Sequence, residues 1–187
     1  MAEKQTLEGL RNYLSTYGIP VDSWGKGSAK TLDHLLEEIN EGETVLVERE
    51  RGTEVLREIK VASITVLYHK NGETYVLAED RQEFSDGRVR KRTLKAKGSL
   101  SEKFKSHEDQ GEAAKRAIRE ELGIAGDVKL TQVKEEEEIE ASQSFPGLKT
   151  IYHMYRFNAE LTDNQYSPNG YVETQDDKKT YFIWKKK

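Results

Sequence analysis

Apolar side chains recur every three or four residues near the start of the chain, which predicts two amphipathic helices. The first covers residues 3 to 17 and ends at Gly18, and the second runs from Ser28, a favourable N-cap, to Asn40. Their apolar faces consist of Leu7, Leu10, Leu14 and Tyr17 and of Leu32, Leu35, Leu36 and Ile39. Trp24 lies in the turn-rich segment between the helices, where filling the core is favoured over stacking on a nucleotide base.

From Thr44 onward the pattern changes to an alternation of apolar and polar residues, which predicts β-strands. These segments cover residues 44–50, 54–70, 73–80, 86–97, 127–141, 149–161 and 178–187. The pair Asn71-Gly72 lies between two of them and predicts a hairpin turn. We therefore expect an α/β protein, with an N-terminal helical pair in residues 1–43 and a strand-rich domain in residues 44–187.

The segment from Glu102 to Ile124 contains a third predicted helix, which carries the adjacent carboxylates Glu120 and Glu121 near its end. At about 100° per residue, both fall on the same broad stripe as the small apolar residues before them. A carboxylate on a packed face is costly unless a cation neutralises it, and magnesium or manganese would do so. The alternative is an ordinary set of helix-surface ion pairs with Arg116 and Arg119.

The order of residues in this segment resembles the Nudix box. That pattern is a Gly, five residues, a Glu, seven residues, and then Arg-Glu-aliphatic-any-Glu-Glu-any-Gly-aliphatic. The matching positions are Glu108, Arg116, Ile118, Glu120, Glu121, Gly123 and Ile124. Two positions differ, because Glu102 stands where the family has its Gly and Ala117 stands where it has the Glu after Arg.

The resemblance implies a Nudix-like α/β/α sandwich with a mixed sheet, and metal-dependent hydrolysis of a nucleoside diphosphate linked to another group. It implies that Glu120 and Glu121 are catalytic residues that bind Mg²⁺ or Mn²⁺, and that Arg116 orients a glutamate. Glu102 is a third expected metal ligand, because its carboxylate could replace an oxygen lost at Ala117. The run from Glu135 to Glu138 could supply another oxygen from a neighbouring strand. A weakened or specialised activity is expected from that loss.

Two alternatives to a hydrolase remain open at this stage. The first is a catalytically inactive Nudix-fold module that binds or senses a nucleotide-like ligand, and the second is a protein-interaction module. Restoring the carboxylate at Ala117 distinguishes the enzyme from the inactive binder, since a binder with a vacated site would gain hydrolysis.

The predicted strand over residues 86–97 is the most basic part of an otherwise acidic chain. Residues two apart share a face of a strand, so Arg88, Arg90 and Arg92 would lie on one side. We expect Arg90 and Arg92 to bind ligand phosphates, together with Lys103, which follows Glu102. The alternative is a solvated edge strand whose like charges discourage aggregation.

Composition excludes several classes of protein. The 187 residues carry a net charge of −4, which argues against a nonspecific binder of duplex nucleic acid. The absence of cysteine excludes a disulfide framework, a zinc-thiolate site and a thiol nucleophile. The sequence lacks an apolar signal segment or a membrane-length apolar run, so we expect a cytoplasmic protein that binds a nucleotide-like small molecule and no membrane. A homodimer is among the assemblies left open.

Overall fold

The computed structural model describes residues 6–91 and 98–187, and these contain three α-helices, two short 3-10 helices and nine strands. The α-helices are α1 (Leu7–Thr16), α2 (Leu32–Asn40) and α3 (Gln110–Leu122). The strands are β1 (Val45–Arg49), β2 (Glu54–Lys70), β3 (Glu73–Phe84), β4 (Val89–Lys91), β5 (Leu100–Lys103), β6 (Lys129–Ala141), β7 (Lys149–Leu161), β8 (Tyr171–Thr174) and β9 (Lys178–Lys186). No helix of the described residues is long and apolar enough to cross a membrane.

The strands follow the order β6-β7-β2-β3-β9-β8, with β1 and β5 also paired to β2 and β4 paired to β3. The hairpin predicted at Asn71-Gly72 is present, since β2 and β3 pair antiparallel from Lys70 opposite Glu73 onward. Asn71 and Gly72 both have positive φ, as a tight hairpin turn between twisted strands requires. The predicted α/β class, with a mixed sheet preceded by a helical pair, is confirmed.

The chain forms two compact units, and β2, β6 and β7 each contribute residues to both. The first unit comprises Met1–Val61, Lys103–His107 and Glu136–Met154, and the second comprises Ala62–Glu102, Glu108–Glu135 and Tyr155–Lys187. The domain boundary expected at residue 43 stays a prediction.

The core of the first unit contains the apolar faces of α1 and α2. Its buried members are Leu10, Leu14, Val21, Trp24, Leu32, Leu35, Val55, Phe145 and Leu148. Trp24 is buried as predicted, with its ring 5.1 Å from that of Phe145 and its indole N–H donating to the carbonyl of Pro146 at 2.9 Å. The polar edge of the indole is therefore satisfied while its rings fill the core.

Helix α2 begins later than its sequence indicates. Thr31, not Ser28, is the N-cap, because its hydroxyl accepts from the backbone N–H of His34 while the His34 ring accepts from the backbone N–H of Thr31. This reciprocal capping satisfies two donors that a start at Ser28 would leave to solvent. The prediction of Ser28 as the N-cap is therefore wrong.

A four-residue strand, β5, lies in a segment for which the sequence pattern predicts no strand. Serine and charged residues gave no alternating apolar pattern there, but pairing with β2 organises the segment. Glu102 and Lys103 are therefore presented by a strand.

A buried charge network lies in the first unit. The Glu38 carboxylate accepts hydrogen bonds from Arg57 at 2.9 Å and from the Thr44 hydroxyl at 3.1 Å, and it lies 2.8 Å from the Lys103 ammonium. Lys30 lies 2.7 Å from the same carboxylate. Burial alone would raise the pKa of Glu38, but hydrogen bonds from Lys103 and Lys30 and the charge of Arg57 lower it to about 2.

Candidate functional site

Helix α3 is fixed at both ends by local capping. At its start, the Asp109 side chain accepts from the N–H of Glu112, and the Glu112 side chain accepts from the N–H of Asp109, each at 2.8 Å. At its end, Gly123 adopts a left-handed conformation with φ of 66° and donates its N–H to the Arg119 carbonyl. A glycine is favoured there because it has no Cβ to strain this conformation.

The packed side of α3 consists of small and aliphatic residues. Its buried members include Ala113, Ala117, Ile118 and Leu122. Ala117, at the position where the Nudix box has a glutamate, is 0% exposed. The helix therefore contributes a methyl group, rather than a carboxylate, at this buried point.

Arg116 forms ion pairs with three glutamates of the second unit. Its guanidinium donates to both oxygens of Glu108, at 2.5 Å from Nε to Oε1 and 2.9 Å from Nη2 to Oε2. Its Nη1 lies 3.2 Å from Glu120 and 3.6 Å from Glu102. The hydrogen bonds to Glu108 and the charges of Glu102, Glu108 and Glu120 together raise the pKa of Arg116, although burial opposes this.

The two adjacent glutamates at the end of α3 have different surroundings. Glu120 has 50% of its side chain exposed and is paired with Arg116. Glu121 is half-buried, and its burial, together with the negative charges of Glu173, Glu102 and Glu79, raises its pKa to about 8. Lys178 acts in the opposite direction but does not offset them. The negative charges of three other carboxylates therefore act on Glu121.

Two members of this carboxylate group were not found from the sequence. Glu79 comes from β3 and Glu173 comes from β8, which lies against α3. Neither position belongs to the box, and β8 is too short to give an alternating pattern. We define Glu79, Glu102, Glu121 and Glu173 as the acidic cluster. Pairing between strands distant in sequence brings it together, so no spacing rule could have revealed it.

The four side chains of the acidic cluster all end in a carboxylate, which is a hard oxygen donor. Carboxylate oxygens are the ligands that Mg²⁺ prefers, and a divalent cation would offset the repulsion that raises the pKa of Glu121. The cluster is not a finished coordination shell, since in residues 6–91 and 98–187 no three acidic or imidazole side chains are already arranged to hold a metal ion. A bound ion that keeps several of its waters would need fewer protein ligands.

The residues predicted to bind substrate lie in several places. Arg90 is exposed on β4, opposite Gln82 of β3. Arg92 lies outside the described residues. Lys103, in the first unit, lies within 3.0 Å of both Glu38 and Glu43. Their binding of a ligand stays a prediction.

No protein-family model matches the chain, and no curated protein does. Solved structures that are similar include an Ap4A hydrolase of C. elegans, with 14% identity over 67% of this chain and 78% of that one and a TM-score of 0.35. A Nudix hydrolase of Listeria monocytogenes has 17% identity over 66% and 75%, with a TM-score of 0.42. The NUDIX domain of Shewanella oneidensis NrtR, in complex with ADP ribose, has 10% identity over 68% and 71%, with a TM-score of 0.39.

Two of these similar structures, from Listeria monocytogenes and Shewanella oneidensis, carry the name of the family that the segment from Glu102 to Ile124 resembles. Their identities to this chain are 17% or lower, and their TM-scores are 0.42 or lower.

Proposed function

We propose that the chain is a Nudix-like, divalent-metal-dependent hydrolase whose substrate is a nucleoside diphosphate linked to another group. The observation that carries the proposal is the acidic cluster, in which burial and three neighbouring carboxylates raise the pKa of Glu121 to about 8. The carboxylates of such a group repel one another and contribute little to stability, whereas their negative charge would attract a divalent cation.

The candidate site residues of the second unit have different roles in this proposal. Glu121 and Glu102 would hold Mg²⁺ or Mn²⁺, with Glu79 and Glu173 adding negative charge at the same place. Glu120 would complete the set from the exposed side of α3. Arg116 would act as a positioning residue, because it contacts Glu102, Glu108 and Glu120 and so restricts where their oxygens lie.

The bound cation would supply charge neutralisation at the phosphate oxygens and activation of the attacking water. The protein's part is to hold the carboxylates in place and to bind the rest of the substrate. For that second task we propose Arg90, Arg92 and Lys103, whose positive charges match phosphate groups. Lys103 would have to exchange part of its interaction with Glu38 and Glu43 for the ligand.

The test is a hydrolysis assay with Mg²⁺ on a panel of linked nucleoside diphosphates. ADP-ribose and Ap4A are suitable first probes, since the NUDIX domain from Shewanella oneidensis was solved in complex with the former and the enzyme from C. elegans is an Ap4A hydrolase. We expect Glu121→Gln to lower kcat/KM by about a hundredfold or more, as the loss of a metal ligand in such a site does. Glu112→Gln is the matched control, because it removes one charge from the exposed side of α3 and keeps a side-chain oxygen for the helix cap.

A second candidate function is supported by the burial of Ala117. With a methyl group at 0% exposure in place of a carboxylate, the metal site has one ligand fewer, which favours a module that binds a nucleotide-like ligand without cleaving it. Hydrolysis gained by Ala117→Glu, where the parent has none, would support this alternative. If that variant fails to fold, a nucleotide-induced rise in Tm of the parent without any turnover gives the same answer.

A further inference from the structure

A pocket of about 400 Å³ lies in the first unit, and none of its lining residues belongs to the acidic cluster. It is formed by the last part of β6, the loop that follows, and the start of β7. Its lining includes Glu138, Glu140, Gln143, Ser144, Tyr152 and Met154. Its volume lies within the range that holds a small ligand or a single large side chain.

The pocket occupies one face of the β6–β7 pair. Glu138 and Glu140 on β6 and Tyr152 and Met154 on β7 all line it, which is consistent with the alternation of side chains along a strand. Glu137 and His153 belong to the opposite face, where Oε2 of Glu137 lies 3.6 Å from Nδ1 of His153. The loop is held in place because the Ser144 carbonyl accepts from the backbone N–H of Lys30 at 2.8 Å.

The chemistry of the lining points to a cation with an apolar stem. Two carboxylates supply negative charge, the Tyr152 ring offers a π-face to a cation, and the Met154 thioether is a soft apolar contact. A guanidinium or ammonium group on a chain of methylenes satisfies all three, because its head pairs with the carboxylates while its stem lies on the apolar surface. Lysine and arginine side chains have this structure.

Strand β6 also offers a backbone for pairing. It is the last strand in the sheet order, with β7 on one side and no further strand of the described residues on the other. An extended segment that added to this edge would place alternate side chains about 5 Å from those of β6 on the same face. A basic side chain in that segment would then lie beside Glu138 and Glu140.

The charge of β6 selects among possible occupants of the edge. The first-unit part of β6 contains Glu136, Glu137, Glu138 and Glu140. A second copy of this chain would bring the same charges against them, and like charges opposite each other are destabilising. A segment rich in lysine or arginine has the complementary charge.

We propose that this pocket and the adjoining edge of β6 bind an extended, basic peptide segment of a partner protein, with one lysine or arginine side chain in the pocket. The proposal uses none of the residues assigned to the hydrolytic site and does not depend on that assignment.

The test uses a fluorescent peptide with the sequence Thr-Val-Arg-Val-Lys-Val-Thr and measures its binding to the full chain by anisotropy at physiological salt. We expect saturable binding that becomes about tenfold weaker in the double variant Glu138→Gln/Glu140→Gln. Glu137→Gln is the matched control, because it removes the same charge from the same strand but on the opposite face. Alternate N-methylation of the peptide should abolish binding, since it removes the backbone donors needed at the edge.

Four results would overturn the proposal. The first is no saturable binding of the peptide to the parent chain, and the second is an equal loss in Glu137→Gln and in the double variant. The third is binding of ethylguanidinium as tight as that of the peptide, which would make the occupant a small cation. The fourth is a stable dimer of the parent chain through β6 in sedimentation analysis, which would make the occupant a second copy of this chain.

Discussion

Arg116 and Glu108 form a two-point hydrogen bond, at 2.5 Å from Nε to Oε1 and 2.9 Å from Nη2 to Oε2. Arg116 is only 7% exposed, so its charge has to be offset by carboxylates rather than by water, and Glu108 is the one that accepts two hydrogen bonds from it at 2.9 Å or less. The pair joins the loop before α3 to the middle of the helix. It therefore holds the loop before α3 against the helix whose end carries Glu120 and Glu121, two of the residues proposed to bind metal.

Arg116→Ala should destabilise the protein by about 3 kcal/mol, because it leaves the Glu108 carboxylate without its partner in a mostly buried place. Arg116→Lys should recover only part of this, since an ammonium cannot reproduce the two parallel hydrogen bonds. Urea unfolding measures both. Arg119→Ala, on the exposed side of the same helix, is the control, and a change beyond about 0.5 kcal/mol there would be unexpected.

The stability of the first unit should depend on pH through Glu38. Its pKa of about 2 lies below the value of about 4.3 in an unfolded chain, so the unfolded state binds more protons between these values. The contribution, roughly 3 kcal/mol, is present above about pH 5 and is lost as the pH falls toward 2. The difference in unfolding free energy between the parent and Glu38→Gln should shrink over this window, and a difference that stays constant would refute this. Glu37→Gln, exposed on the same helix, should change little at either pH.

Trp24→Ala should cost about 4 kcal/mol, because it leaves a cavity beside Phe145 in the core of the first unit. Trp24→Phe should cost less, since it keeps a ring but loses the hydrogen bond to the Pro146 carbonyl. Thermal unfolding of both variants measures the order. Leu7→Ala is the control, because Leu7 is 40% exposed, and equal losses in Leu7→Ala and Trp24→Ala would contradict the described core.

Gly170 precedes β8, the strand that carries Glu173. A Cβ at this position would lie 1.9 Å from the Phe182 carbonyl oxygen, and φ is +76°. Gly170→Ala should therefore destabilise the second unit by more than Gly126→Ala, whose φ is +96° but whose added Cβ meets nothing within 4 Å. We expect about 1 kcal/mol for the latter, from backbone strain alone, and at least twice that for the former. Similar values for both would show that the close approach to Phe182 is absent.

Long strands with regular alternation could be predicted from the sequence. The segments assigned to β2 and β7 have the bounds that the sequence pattern predicts. Burial alternates along the second half of β7, whereas β2 is buried over most of its length. The start of α2 could not be predicted in this way, since Thr31 rather than Ser28 is the N-cap because of its reciprocal hydrogen bonds with His34. Strand β8, with four residues, and β5, with serine and charged residues, are organised by their partners rather than by their own pattern.

The candidate site could be predicted only in part for the same reason. The helix and the glutamates at positions 120 and 121 follow from the spacing of the box, and Glu102 follows from its place at the start of that spacing. Glu79 and Glu173 lie on strands that approach Glu121 through tertiary pairing, so their positions in the sequence are arbitrary with respect to the helix. The contrast between the half-exposed Glu120 and the half-buried Glu121 likewise depends on packing.

The most direct test of the proposed metal site is calorimetric titration of the chain with Mg²⁺, without nucleotide, at constant pH. We expect one site in the parent chain, at least about tenfold weaker binding in Glu121→Gln and Glu102→Gln, and no change in the control Glu112→Gln. Circular dichroism of each variant establishes that it is folded. Equal Mg²⁺ affinity in the parent and in Glu121→Gln, or no Mg²⁺ binding by the folded parent, would contradict the account.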